Sequence, residues 1–187
     1  DNWGFTATFD SHGNAYSGGI AFGTGYPVTT GAFQMNFAGG EAGSYLNGCD
    51  VAIIKYDSSG TQRLWATYLG GSMNDLPHSM IVNELDQLVV FGTTGSSNFP
   101  VTAGAYDNSF GGGSYVAYDN SSILFGSGID IFISKFSEDG AQLLGSTYMG
   151  GSGNDGLNYP SALSYNYGDG ARGEIMTDEN NNVYVVS

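Results

Sequence analysis

The sequence predicts an all-β fold of tandem four-stranded antiparallel sheets, and three observations carry that expectation. Whole segments recur in the same order, the recurring segments are short apolar runs, and Asx- and Gly-rich turns separate them. Composition agrees. Glycine supplies 31 of 187 residues and charged residues only 12%, where an average chain has about 7% glycine and about 25% charge. With 41% hydrophobic residues the chain can still fill a core.

The longest repeat sets Asp50-Val-Ala-Ile-Ile-Lys-Tyr-Asp-Ser-Ser-Gly60 and Leu64-Trp-Ala-Thr-Tyr-Leu-Gly-Gly-Ser72 against Asp130-Ile-Phe-Ile-Ser-Lys-Phe-Ser-Glu-Asp-Gly140 and Leu144-Gly-Ser-Thr-Tyr-Met-Gly-Gly-Ser152, at an offset of 80. Each copy is followed by an Asn-Asp pair, Asn74-Asp75 and Asn154-Asp155. Tyr26-Pro-Val-Thr-Thr-Gly-Ala-Phe33 returns as Phe99-Pro-Val-Thr-Ala-Gly-Ala-Tyr106 at an offset of 73, which places a seven-residue insertion between Gly111 and Gly128. A third element occurs three times, beginning at Phe9, Val82 and Thr177. In each copy Asp10, Asn83 or Asp178 opens a polar loop between two apolar runs, which is hairpin chemistry.

The strands follow in order. The first repeat has 4–9, 14–19, 50–57 and 63–69; the second has 79–83, 87–92, 130–136 and 142–149; the third supplies two. The repeats therefore span 1–75, 76–155 and 156–187. In Val51–Tyr56 and Ile131–Phe136 both alternating faces carry apolar residues, as in a sheet covered on both sides. Four-stranded units in series, stacked face to face, read as blades of a partial β-propeller of about two and a half blades. Because the third copy holds only two strands, the expectation is a piece of a longer polypeptide whose remaining blades complete it.

Tyr-Leu-Gly-Gly-Ser with Asn-Asp, Asn98-Phe-Pro-Val-Thr-x-Gly-Ala-Tyr106 and Asp130-x-Phe-x-x-Lys135 together resemble the SBBP repeat, named for the seven-bladed β-propeller and found in large bacterial exported and surface proteins. The resemblance covers nearly the whole chain. It implies a propeller fold and an extracellular or bacterial cell-surface location, and it implies no particular activity. The long connections from Ile20 to Cys49 and from Thr93 to Ile129, and the segment from Tyr159 to Gly170, depart from the family pattern.

A net charge of -14 repels phosphate backbones and disfavours nucleic acid. Divalent cations, neutral glycans and cationic surfaces suit it better. No apolar run approaches the roughly 18 residues of a membrane span, so no transmembrane segment is expected. Cys49 is alone, which excludes an intrachain disulfide, and it reads as a small buried residue beside a strand.

Little in the sequence carries chemistry. His12 in the hairpin loop and His78 just before a strand sit in different repeat contexts and read as exposed loop histidines, and no nucleophile elbow, zinc-protease or P-loop motif is present. Asp75, Asp155 and Asp178 lie in oxygen-rich turns, so each reads either as a brace for backbone amides or as a ligand of structural calcium. No other cofactor is expected. Lys55 and Lys135 occupy equivalent positions inside apolar strands and must reach water or a carboxylate, with Asp50, Asp130, Asp75 or Asp155 as the expected partner. Phe33, Phe37, Tyr106 and Phe110 recur in pairs and read as packing residues. Tyr115, Tyr118, Tyr159, Tyr165 and Tyr167 lie in non-repeating stretches of Ser, Asn and Gly, a composition that suits either stacking on a ligand or a packed surface loop.

Three functions compete at this point. A non-catalytic, adhesive or scaffolding module toward a glycan or protein partner is the leading one. A fragment of a carbohydrate-active enzyme, hydrolase or lyase, is the alternative. A passive spacer held by outer-membrane or secretion machinery is the third.

Overall fold

The structure, a computed structural model, describes residues 2–43, 47–119, 121–158 and 168–187. Among them are twelve strands and no helix. Strands β1 (Asn2–Phe9), β2 (Ala15–Phe22), β3 (Cys49–Tyr56) and β4 (Arg63–Leu69) form the first sheet in chain order. The second opens with β5 (Asp75–Val82) and β6 (Leu88–Thr94). The chain then makes a small separate hairpin, β7 (Val116–Tyr118) and β8 (Ile123–Phe125), inside the segment where the insertion was expected. It returns as β9 (Asp130–Phe136) and β10 (Leu143–Met149) to complete the order β5-β6-β9-β10. β11 (Glu174–Thr177) and β12 (Val183–Val186) form a two-stranded sheet. Every pairing is antiparallel.

Three hairpin turns are copies in bonding as well as in sequence. Asp10 Oδ1 accepts the amides of His12 and Asn14, Asn83 Oδ1 those of Leu85 and Gln87, and Asp178 Oδ1 those of Asn180 and Asn182, all at 2.8–3.0 Å. The fourth loop residue, Gly13, Asp86 or Asn181, takes a positive φ of 77°, 54° or 60°. Gly, Asp and Asn are the residues that tolerate it.

The sheets stack through their first strands. β5 lies against β1, β2 and β3, and β11 lies against β5 and β6. Tyr16, Val51, Ile53 and Trp65 from the first sheet meet Met80, Leu88, Val90 and Phe132 from the second in one buried cluster. On the opposite face of β6, Val89 and Phe91 pack with Ile175 of β11. The far face of the first sheet is covered differently: Ala52 and Tyr68 pack beneath Tyr26, Val28 and Phe37 of the long β2–β3 connection. A connection, not a neighbouring sheet, supplies that second side. The sheets do not close into a ring, and this open stack does not show a propeller.

The recurring Pro-Val-Thr segments protect sheet edges. Unpaired strand backbone invites edge-to-edge aggregation. Thr29 donates its amide to Ala66 O and accepts the Ala66 amide on its hydroxyl oxygen, and Thr102 repeats both bonds with Ser146. The outer edges of β4 and β10 are thereby partly covered.

Candidate functional site

The Gly-Gly-Ser-x-Asn-Asp motif is a brace. Asn74 Oδ1 accepts the Cys49 amide at 2.7 Å and Asn154 Oδ1 accepts the Ile129 amide at 3.2 Å, so each asparagine fixes the start of a third strand. Asp75 Oδ2 accepts the Gly71 amide and Asp155 Oδ2 the Gly151 amide, closing the turn that precedes each of them. The Thr94 hydroxyl donates to Asp75 Oδ1, and the Ser96 hydroxyl donates to Oδ2 beside the Gly71 amide. Asp50 accepts the Ala38 amide, and Asp130 accepts those of Gly111 and Gly112. A Cβ on Gly70 would lie 2.6 Å from an oxygen of Asp50 and 2.6 Å from one of Asp75, which is why the two carboxyls can converge over that residue. Burial raises the Asp50 pKa to about 7, against the bond from Ala38 that lowers it. Asp75 rises well above its ordinary value through burial and the nearby Asp50 charge, despite the Thr94 bond.

The lysine expectation needs correction. Lys55 pairs with Asp10, not with Asp50, Asp130, Asp75 or Asp155: Nζ lies 2.9 Å from Asp10 Oδ2, and both side chains are buried. Tyr16 donates its hydroxyl to the same oxygen at 3.4 Å. Burial alone would raise the Asp10 pKa, but Lys55 and Asn14 outweigh it and hold the carboxyl at about 2. Lys135 has the equivalent register, opposite Val89 as Lys55 is opposite Tyr16, yet it makes no ion pair among the described residues. The reason is substitution within the repeat, because Asn83 and Val89 stand where Asp10 and Tyr16 stand.

The first strands build a cleft. β1 slips register between Gly4 and Thr6, and β5 slips between Pro77 and Ser79, so Phe5 and His78 are the extra residues of equivalent β-bulges. Gly19 and Gly92 face these bulges, where a Cβ would come within 2.0 Å of Trp3 O or 2.1 Å of Leu76 O. Phe5 and His78 line a cavity of about 800 Å³ with Ala171, Arg172, Glu174 and Val186. His78, expected as an exposed loop residue, is instead buried within β5, edge-on to Phe91, and Nε2 meets Thr93 Oγ1 at 3.1 Å while Nδ1 has no partner among the described residues. Burial lowers its pKa to about 3, so the imidazole is neutral at pH 7. Arg172 pairs with Asp169, and Glu174 accepts from Ser79 Oγ at 3.3 Å.

The two described residues of the expected ligand set, Tyr115 and Tyr118, differ in exposure. Tyr118 is in the core with Val116 and Phe125, and burial raises its pKa to about 12; this corrects its reading as a contact residue. Tyr115 is exposed, while Tyr159, Tyr165 and Tyr167 lie outside the described residues. Of the paired aromatics Phe33, Phe37 and Phe110 pack as expected, and Tyr106 is exposed. Asp75, Asp155 and Asp178 sit in separate turns, each bonded to its own turn amides. The group of three ligating side chains among the described residues is instead Asp10, His12 and Asp86, with donor atoms within 4.8 Å of one another. There Asp86 accepts the Ser11 amide and hydroxyl and faces His12 Nδ1 at 3.4 Å, so the cluster latches a hairpin of the first sheet to one of the second. Sequence reasoning missed the cleft residues Phe5, Arg172 and Glu174. The available signal was that Phe5, His78 and Gly173 differ at one repeat position.

No protein-family model matches the chain, and no curated protein matches it.

Proposed function

We propose that the chain is a non-catalytic binding and scaffolding module of a bacterial secreted or surface protein, part of an SBBP-type β-propeller, acting on a glycan or protein partner. The stacking of β1, β5 and β11, each the first strand of its sheet, supports the propeller reading, since blades around an axis meet through their inner strands. The binding reading rests on one contrast. Carboxylates recur from repeat to repeat and are engaged by turn amides, whereas Phe5, His78 and Gly173 differ in each copy and line one cleft. Bonds that build a repeat recur with it; recognition of an asymmetric ligand breaks the repeat. Phe5 and Val186 beside Arg172 and Glu174 offer apolar faces next to hydrogen-bonding groups, which suits a sugar or a polar protein loop.

The carbohydrate-active alternative requires two carboxyls within reach of a substrate. The converging pair, Asp50 and Asp75, is fully buried, and this favours the binding reading. A glycan array and calorimetry on this chain, with a reducing-end assay in parallel, test the choice. Saturable binding that Arg172→Ala weakens at an unchanged unfolding midpoint is expected. Sugar release abolished by Asp75→Asn would overturn the proposal.

A further inference from the structure

The third hairpin carries a lysine socket with no lysine in it. Asp10 Oδ2 accepts from Asn14 Nδ2 at 2.9 Å, from the Tyr16 hydroxyl at 3.4 Å and from Lys55 Nζ at 2.9 Å. Asp178 Oδ2 accepts from Asn182 Nδ2 at 2.8 Å and from the Tyr184 hydroxyl at 3.0 Å, the same two donors in the same places. Lys55 reaches its socket because β3 pairs with the outer edge of β2 and sets Lys55 opposite Tyr16. β12 corresponds to β2, and among the described residues it pairs only with β11. Its Tyr184 and Val186, with Met176 beside them on β11, are exposed, whereas Tyr16 is buried. The middle hairpin is the internal control. With Asn83 and Val89 in place of the acid and the tyrosine, it has no socket, and Lys135 opposite Val89 is unpaired among the described residues.

We infer that the outer edge of β12 is a docking site for one extended, antiparallel β-strand carrying a lysine opposite Tyr184, whose ammonium seats on the Asp178 carboxylate. The backbone edge supplies affinity, as in strand addition generally, and the acid supplies register. The occupant is thus an apolar strand resembling β3, with its lysine two residues after a branched residue that lies opposite Val186, as Ile53 lies opposite Gly18. This deepens the scaffolding proposal and rests on its repeat plan; the glycan and sugar-release assays read the cleft around Arg172 and Glu174, whereas the socket is Asp178 with Asn182 and Tyr184, none of which lines that cleft, so the two can fail separately.

The test is fluorescence anisotropy on the 187-residue chain with a labelled peptide of residues 50–57 and its Lys→Met counterpart. The parent peptide is expected to bind one per chain, and the Lys→Met peptide about tenfold more weakly, the size of one charge-assisted hydrogen bond. Asp178→Asn is expected to bring the parent peptide down to the Lys→Met level without altering the latter. Asn83 shows that an Asn keeps this turn. Tyr184→Phe provides a second variant with the acid intact, and its effect is expected to be smaller. Equal affinity for the two peptides would overturn the inference. So would no binding by a chain with a normal circular-dichroism spectrum, or occupation of the edge by a second copy seen as a peptide-resistant dimer in ultracentrifugation.

Discussion

Lys55 Nζ and Asp10 Oδ2 meet at 2.9 Å in a site where the two side chains are 3% and 0% exposed. A buried pair of this kind is weak as a source of net stability, but removing one partner leaves the other charge uncompensated. The asymmetry between repeats follows from it.

Lys55→Met is therefore expected to cost about 3–5 kcal/mol. Lys135→Met, with no ion pair to lose, is expected to stay within about 0.5 kcal/mol. Urea unfolding of the two variants measures the difference; equal effects would mean the pair contributes nothing specific. Asp10 is depressed to about 2 in the folded chain, so its contribution is present above about 4 and is lost as pH falls through about 2.

Asp50 has the opposite sign. Its folded-state pKa of about 7 exceeds the unfolded value of about 4, so the folded chain holds the proton more tightly and loses stability as pH rises between them. Asp50→Asn is expected to raise the melting temperature at pH 8 and to leave it nearly unchanged at pH 4. Melting curves at the two pH values decide it, and a variant less stable at pH 8 would contradict the assignment.

Gly92→Ala places a Cβ against Leu76 O at the β5 bulge, whereas Gly145→Ala meets nothing within 4 Å. The first is expected to destabilise by about 2 kcal/mol or more, through strain of the overpacking kind. The second is expected to be neutral or slightly stabilising, since alanine loses less chain entropy on folding. Chemical denaturation of both variants gives the comparison.

Tyr118→Ala removes a buried ring and is expected to cost about 3–5 kcal/mol. Tyr115→Ala, on the exposed approach to the same hairpin, is expected to change stability by less than about 0.5 kcal/mol. Thermal melts separate the two roles that the shared Ser- and Gly-rich context hides.

The sequence by itself determined ten of the twelve described strands, the grouping of eight of them in fours and the three Asx hairpins, but not β7 and β8. These depend on local turn chemistry and on a period that self-comparison detects: Asp10, Asn83 and Asp178 bond their own loops and need no distant partner. Tertiary structure decided what those residues do next. Asp10 receives Lys55 only because pairing of β2 with β3 sets Tyr16 opposite the lysine, and a single change to Asn83 leaves Lys135 without that partner. Phe5 and His78 reach the cleft through bulges, which are properties of two paired strands and not of either alone. Tyr118 is in the core because an inserted hairpin folds back onto the stacked sheets, a contact that the Gly- and Ser-rich composition around it does not encode.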